Sequence, residues 1–280
     1  MKGKRPSRTA RMVAMGRALA HAGLSRVANF SDPTARVFVG EKGKRALTQI
    51  DSAIRNGKRS MRLEAARTSS DIMALRTTAI DDAVRGAIAD GAKQLVILGA
   101  GYDGRAWRLQ ELTGVRIYEV EHPATQGEKR ALLSELPPPN GAMTFVPIDF
   151  ERESLGAVLE RAGHDCVVPT CWIWEGVVMY LTHDVMRATL TKIAERSAPG
   201  STLIVNYHTQ LRGFIARLIF NLIGEPQVSA WTEEEMAADL RAVGFIVRED
   251  SGMLDWNKRF AQGQAKVDRG FYMRIAVGRN

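Results

Sequence analysis

Two glycines and an acid are spaced as in sites that bind an adenosine-containing cofactor. The run Gly99–Gly104 has the form G-x-G-x-x-G, and it directly follows the apolar run Leu95–Leu98. Glycine at Gly99 and Gly101 lets the backbone approach a ligand closely. Glu121 comes 20 residues after Gly101, where a carboxylate can accept from ribose hydroxyls. The pattern alone does not separate a nicotinamide dinucleotide from S-adenosylmethionine.

Two further acids favour the methyl donor. Asp149 and Glu175 each end a later predicted strand; Asp149 could accept from an adenine amino group, and Glu175 faces the middle of the cleft. The glycine motif also lies near residue 100, behind a helical segment, and the chain contains no Tyr-x-x-x-Lys dyad. An NAD-dependent oxidoreductase, based on the literal G-x-G-x-x-G, stays the first alternative.

Few residues in the sequence are suited to bind or activate a methyl acceptor. His208, at the end of the fifth predicted strand, is the best-placed general base for a hydroxyl acceptor, whereas a carboxylate acceptor needs no base at neutral pH. Tyr180 and Tyr207 could position either acceptor. Cys166 and Cys171 have no histidine at zinc-ligand spacing, and no other metal constellation is present in the sequence. We therefore expect alignment of the reactants to supply much of the catalysis.

Short strands that alternate with helices must position these residues. This alternation predicts an α/β fold, a doubly wound, mostly parallel sheet of seven strands with helices on both faces. Apolar runs without alternation indicate strands covered on both faces, and ligands of such sheets bind at the carboxyl ends of the strands. The predicted strands are Leu95–Leu98, Arg116–Glu121, Met143–Asp149, Thr170–Trp174, Ser201–His208, Phe245–Glu249 and Phe271–Val277.

The basic excess lies entirely in the first quarter of the chain. Residues 1–67 hold 16 Lys/Arg and 4 Asp/Glu, whereas residues 68–280 hold 23 and 27. We predict a basic, helical N-terminal segment over 1–67, and a helix that begins within Thr68–Asp71 and opens the cofactor-binding domain 68–280. Basic segments contact nucleic acid, membranes or acidic ligands, or only face solvent. An RNA-modifying methyltransferase is thus the second alternative, although no recognised RNA-binding module supports it.

Composition restricts both the class of protein and the cell compartment that we expect. The chain is 45% hydrophobic and 25% charged, as ordinary globular proteins are. No apolar run approaches the roughly 18 residues that a bilayer crossing needs, and charges interrupt the one candidate signal region near the N-terminus. The two cysteines are too few for a disulfide framework. A cytoplasmic protein fits these features best.

Five stretches together resemble the leucine carboxyl methyltransferase-like family of class I S-adenosylmethionine-dependent methyltransferases, in particular its bacterial branch. They occur in family order over residues 76–181, and the joint match is specific although each stretch alone is weak. The stretches are Arg76–Asp82, Gln94–Arg105, Tyr118–Pro123, Val146–Phe150 and Trp174–Leu181. The resemblance implies the Rossmann-like class I methyltransferase fold, with S-adenosyl-L-methionine as the cofactor and O-methylation of a carboxylate or hydroxyl on a small molecule as the activity.

The resemblance also implies roles for single residues. Arg76 pairs with the carboxylate of the cofactor, and Glu175 lies near its amino group and sulfonium. Glu121 holds the ribose. The residues assigned to the cofactor are Arg76, Gly99, Gly101, Asp103, Glu121, Asp149, Phe150 and Glu175. Asp103 could equally pair with Arg105 and brace the loop. The family often has Asp where Glu121 stands and Thr at position 104, so the third glycine of the apparent dinucleotide motif could be incidental.

Two segments are expected to shape the acceptor pocket. In this family the N-terminal region, here 8–67, and an insertion after the fifth strand, here the apolar residues 211–230, cover the cleft. A basic cover over an apolar wall suits an acidic small molecule or a carrier-bound intermediate. Neither nucleic acid nor a membrane is expected as a partner, and the oligomeric state cannot be deduced from the sequence.

Overall fold

A seven-stranded sheet forms the centre of the protein, as predicted. The computed structural model describes residues 7–56, 60–150, 152–210, 227–267 and 272–280. The strands are β1 (Gln94–Leu98), β2 (Arg116–Glu121), β3 (Ala142–Pro147), β4 (Thr170–Trp174), β5 (Thr202–His208), β6 (Ile246–Gly252) and β7 (Met273–Arg279). Their order is β3-β2-β1-β4-β5-β7-β6. β1 to β5 pair in parallel, whereas β7 is antiparallel to both neighbours.

Helices cover both faces of this sheet. The helices that the structure describes are α1 (Arg8–His21), α2 (Pro33–Phe38), α3 (Gly40–Arg55), α4 (Met61–Ala89), α5 (Arg105–Arg108), α6 (Pro123–Ala131), α7 (Leu155–Arg161), α8 (His183–Glu195), α9 (Glu233–Ala242) and α10 (Met253–Ala261). Every residue of β1, β4 and β5 is buried, which explains the apolar runs without alternation.

Side-chain alternation along the strands divides the core in two. Leu95 and Ile97 of β1 point to one face, where they join a cluster with Ile80 of α4. Val96 and Leu98 point to the other face and join a cluster with Leu190 of α8. The chain leaves β1 towards β2 on one side, and β4 lies on the other side. The carboxyl end of β1 is therefore the switch point at which such sheets bind ligands.

The N-terminal helices form a third core on top of this switch point. Ala14 of α1 and Phe38 of α2 pack around Tyr102, which follows β1. The N-cap of α2 is Asp32, which accepts from the backbone N–H of Ala35, as the Ser-Asp-Pro sequence predicts. The N-terminal segment is thus packed directly against the turn 99–104 that follows β1.

The predicted helix start at residues 68–71 is wrong. α4 begins at Met61, with Ser60 as its N-cap, so Thr68–Asp71 lie inside a helix of 29 residues and the proposed division at 67/68 falls within it. Asp71 is buried and accepts from the side chains of Ser25 and Arg26. The Asp71 carboxylate therefore binds the N-terminal segment to α4 through tertiary hydrogen bonds. Capping rules consider only contacts with the nearby backbone and so do not predict this role.

Two details away from the site complete the fold. The sequence Thr-x-x-Glu at residues 232–235 predicts a capping box, and the structure confirms it: Thr232 and Glu235 exchange side-chain to backbone hydrogen bonds at the start of α9. Among the described helices, none combines the length and apolar content that a membrane crossing requires.

Candidate functional site

The turn after β1 holds its two leading glycines in a backbone conformation that favours glycine. Gly99 has φ 67° and Gly101 has φ 50°, both in the left-handed region. A Cβ at Gly99 would overlap the side chain of Val177, and one at Gly101 would lie 3.1 Å from the Cβ of Ala10. Both glycines are therefore required by conformation and by close approach, and α1 lies directly over the loop.

Glu121 stands at the end of β2 against this loop. Its Oε2 accepts from the backbone N–H of Gly101 at 2.7 Å, and its Oε1 accepts from that of His122 at 2.7 Å. Burial raises the pKa of the Glu121 carboxyl, and these two backbone donors oppose the increase. The carboxylate is thus fixed beside the glycine turn, which is the position the ribose assignment needs.

The reason for a glycine at position 104 differs from the reason at Gly99 and Gly101. Its φ of −116° is open to any residue, but a Cβ there would overlap Oγ1 of Thr34 and lie 3.2 Å from Oδ1 of Asp32. The N-terminal segment occupies the space that a side chain at position 104 would need. The third glycine of the motif is therefore explained by packing of α2, and it is no sign of a dinucleotide.

A buried cluster of charges lies between the glycine turn and β4. Arg105 is fully buried, and its guanidinium contacts Asp81 Oδ1 at 2.8 Å, Glu175 Oε2 at 2.9 Å and Asp103 Oδ2. Burial of Asp103 disfavours its charged form, but the nearby cations, Arg105 foremost, outweigh burial and lower the pKa of Asp103 to about 2. Asp103 and Arg105 therefore pair, which was one of the two expectations for Asp103.

Arg76 completes the cluster from α4. Its Nη2 lies 2.8 Å from Oε1 of Glu175, so Glu175 at the end of β4 is bound by two guanidinium groups. Burial disfavours the charged form of Glu175, yet Arg76 and Arg105 together hold the pKa of this carboxyl below its usual value. Nε of Arg76 and Nη2 of Arg105 are buried and have no hydrogen-bond acceptor among the described residues. The guanidinium of Arg76, which the resemblance assigns to the carboxylate of the cofactor, therefore keeps a donor that suits an anionic ligand group.

Asp149, predicted to bind the adenine, and Phe150, predicted to contact the cofactor, lie at the outer edge of the site. Asp149 follows β3 and is partly exposed, 3.6 Å from Arg152. Phe150 is 57% exposed, and the preceding Ile148 is fully buried and donates to the carbonyl of Glu121. The structure thus places Asp149 and Phe150 on the β2 side of the switch point, next to Glu121 and apart from the charge cluster.

The three predicted acceptor residues do not share one environment. Tyr180 is partly exposed in the 3₁₀ turn Val178–Tyr180, and His208 is buried at the end of β5. Residues 227–231, which precede α9, connect the 3₁₀ turn to the end of β5. The backbone N–H of Val228 donates to the carbonyl of Met179, and that of Trp231 donates to the carbonyl of His208. Tyr180 and His208 therefore lie at the same edge of the sheet.

Tyr207 points to the opposite face from His208. Its ring belongs to the core under α8 and α9, and its hydroxyl donates to Oδ2 of Asp250 at 2.6 Å. Burial and the Asp250 carboxylate raise the pKa of Tyr207 well above its usual value. The predicted insertion 211–230 lies outside the described residues up to position 226.

Sequence reasoning missed a buried ion pair beneath the glycine turn. Nζ of Lys129 lies 2.6 Å from Glu119 and donates to the carbonyl of Asp103 at 2.7 Å. Both side chains are almost fully buried. The signal was present in β2, where Glu119 interrupts the apolar sequence Ile-Tyr-Glu-Val, since a charge inside a covered strand needs a partner. Asp81 on α4 and Arg108 on α5 were also missed. Nothing in the sequence around them sets them apart from ordinary charged residues of a helix.

The arrangement fits S-adenosylmethionine. Glycines give access to the turn, Glu121 lies beside the turn, where the resemblance assigns the ribose, and the buried Nε of Arg76 has no acceptor among the described residues and is available to a carboxylate. Within the described ranges, no group of three or more His, Cys, Asp or Glu side chains is placed to hold a metal ion.

Comparison with known proteins agrees with this geometry. The model of the leucine carboxyl methyltransferase family matches residues 10–194. A protein of Streptomyces coelicolor, assigned by its name to the S-adenosyl-L-methionine-dependent methyltransferases, is 33% identical over 206 residues, which cover 73% of this chain and 70% of the relative.

Solved structures share the fold at low identity. A protein of Thermobifida fusca described as a methyltransferase has a TM-score of 0.55 and 19% identity, covering 99% of this chain and 95% of its own. Magnesium protoporphyrin IX methyltransferase from Synechocystis, with bound SAH, has a TM-score of 0.51 and 14% identity, covering 88% of this chain and 97% of its own. At these identities the likeness concerns the fold alone.

Proposed function

The chain belongs to the leucine carboxyl methyltransferase family and is an S-adenosylmethionine-dependent methyltransferase; we propose that it methylates an oxygen atom of a small molecule, with a carboxylate as the first candidate. The observation that carries the proposal is the extent of the family match. It covers the glycine turn and continues through Glu175 and Tyr180, so it includes part of the edge where an acceptor would meet the methyl group.

The chemistry of a carboxylate acceptor suits the residues at this edge. Bound S-adenosylmethionine supplies an electrophilic methyl group on a sulfonium. A carboxylate is already ionised at neutral pH, so the protein only has to hold it in line and exclude water. Tyr180 is partly exposed in the turn that follows β4, and we assign it the task of donating to such an oxygen. Glu175, fixed by Arg76 and Arg105, keeps negative charge near the cation of the cofactor.

A hydroxyl acceptor is the second candidate, and His208 favours it. His208 is the last residue of β5 and lies on the same face of that strand as Asn206, whose Oδ1 accepts from the backbone N–H of Gly176 at 3.3 Å. Gly176 directly follows Glu175. A histidine at this position could serve as the general base that accepts the proton of a hydroxyl.

The stability of the transferred methyl group distinguishes the two acceptors. The protein is incubated with methyl-labelled S-adenosylmethionine and a small-molecule extract, and the labelled products are treated with mild alkali. A methyl ester releases labelled methanol, whereas a methyl ether keeps its label. We expect alkali-labile label that His208→Gln does not reduce. Stable label that is lost in His208→Gln would support the hydroxyl acceptor. A labelled methyl group on a nitrogen atom, identified by mass spectrometry of the product, would refute O-methylation.

An acidic acceptor is proposed from the charge of the N-terminal segment. Several of its cations are already matched by acids: Arg26 lies 2.7 Å from Asp71, and Lys44 lies 2.7 Å from Glu135. Lys42 and Arg45 on α3 are exposed. For an identified acidic acceptor, Lys42→Gln with Arg45→Gln is expected to raise KM several-fold with kcat unchanged, and an unchanged KM would contradict this role.

A further inference from the structure

The charge cluster around Arg105 supports one more assignment. We propose that Arg105 is a positioning residue that holds Glu175 towards the amino-acid end of S-adenosylmethionine and thereby keeps Arg76 available to the carboxylate of that ligand. The proposal rests on the predicted placement of this end of the cofactor beside Arg76 and Glu175. It goes beyond that placement, because it assigns a task to a side chain that itself needs no contact with the ligand.

A single guanidinium joins three separate parts of the fold. Arg105 contacts Asp81 on α4, Asp103 in the glycine turn and Glu175 at the end of β4. The backbone N–H of Arg105 also donates to Oδ1 of Asp103 at 2.7 Å. Only the planar, five-donor guanidinium offers this reach, since a lysine ammonium is a point charge with three donors. The distances between these three carboxylates therefore depend on Arg105.

Arg105 is itself held from behind. Oδ1 of Asp81 accepts both from Nε of Arg105 at 2.8 Å and from Nη2 of Arg108 at 2.7 Å. Arg108 in turn lies 3.9 Å from Asp32 of the N-terminal segment, which also pairs with Arg17 at 3.4 Å. The orientation of Arg105 is thus fixed by a chain of buried charges that begins in the N-terminal segment.

The two oxygens of Glu175 have different partners, and this division carries the proposal. Oε1 faces Arg76 and Oε2 faces Arg105. When the ligand carboxylate binds Arg76, Glu175 keeps its ion pair with Arg105 and stays charged and oriented. Without Arg105, Glu175 would depend on Arg76 alone, and the ligand carboxylate would have to compete with it for the same guanidinium.

A pair of ligands tests this role by calorimetry. S-adenosylhomocysteine has the amino-acid end, whereas 5′-methylthioadenosine has the adenosine and sulfur without it. In Arg105→Gln we expect roughly 10- to 100-fold weaker binding of S-adenosylhomocysteine, the range for a lost charged hydrogen bond. Binding of methylthioadenosine should stay within about twofold, because Glu121 and the glycine turn are untouched. Arg85→Gln, which removes an exposed partner of Glu111, is the matched control and should change neither.

The opposite results overturn the proposal. An equal loss for both ligands would show that Arg105 only maintains the fold of the site, and no loss for either would show that Glu175 needs no such support. Should Arg105→Gln fail to melt cooperatively, Arg105→Lys is measured in the same way and is expected to give a smaller but still selective loss. If the wild type bound neither ligand, the cofactor assignment would fail and not the role of Arg105.

Discussion

The end of the sheet at β1 and β2, to which we assign the cofactor, is built differently from the end at β4 and β5, to which we assign the acceptor; we call these the cofactor half and the acceptor half. At the ends of β1 and β2, charged groups are buried and paired: Arg105 with three acids, Lys129 with Glu119. At the ends of β4 and β5, beyond Glu175, the structure instead brings together Tyr180 and His208, and the carbonyls of Met179 and His208 accept from the backbone N–H groups of Val228 and Trp231. The half that binds the cofactor can be rigid and strongly charged, because its ligand is always the same molecule. The half that binds a particular acceptor is shaped by loops and insertions.

The largest effect is expected under the glycine turn. Lys129→Met leaves Glu119 buried without its cation, and breaking one partner of such a pair costs about 3–5 kcal/mol in the free energy of unfolding. Urea denaturation measures this loss. The double variant Lys129→Met with Glu119→Leu removes both charges and should recover most of it. If the single variant were as stable as the wild type, the buried pair would not support the cofactor half.

The second effect concerns binding alone. Glu121→Ala removes the carboxylate beside Gly101 and should weaken S-adenosylhomocysteine by roughly 100-fold, about 2.7 kcal/mol. Glu121→Asp, the residue frequent in the family, should recover most of this loss, and the exposed Glu111→Ala should lose nothing. Calorimetric titration of the three variants is the measurement. Equal affinities of all three variants for S-adenosylhomocysteine would show that Glu121 is not part of the cofactor site.

The third effect tests how closely the N-terminal segment packs on the cofactor half. Gly104→Ala forces a methyl group against Oγ1 of Thr34, which should cost about 1–3 kcal/mol of stability. In a Thr34→Ala background the same change should cost at least about 1 kcal/mol less, because the overlapping oxygen is gone. Additive costs in this double-mutant cycle would mean that α2 does not occupy the space beside position 104.

The smallest effect lies in the acceptor half. Tyr207→Phe removes one hydrogen bond to Asp250, which Arg274 still holds at 2.8 Å, and it should cost about 1 kcal/mol of stability. Turnover should not change, since the hydroxyl lies on the face opposite His208. A loss of turnover without a loss of stability would place Tyr207 at the acceptor, as the sequence suggested.

The contrast between the halves also explains what could be predicted from sequence. The sheet, the glycine turn and Glu121 were predictable because each depends on a local pattern: covered strands, left-handed glycines and an acid at a strand end. The start of α4 was not, because Asp71 serves a partner 45 residues away, Arg26. Asp81 and Arg108 were missed for the same reason, since an ordinary helical charge becomes part of a site only through tertiary contacts.

Titration of the wild-type protein with S-adenosylhomocysteine and, separately, with NAD tests the central claim most directly. The claim is that the buried charges and the glycine turn form a site for the methyl donor. The account predicts saturable one-to-one binding of S-adenosylhomocysteine, accompanied by a raised melting temperature, and no heat with NAD. Binding of NAD, or no binding of S-adenosylhomocysteine to the folded protein, would contradict it.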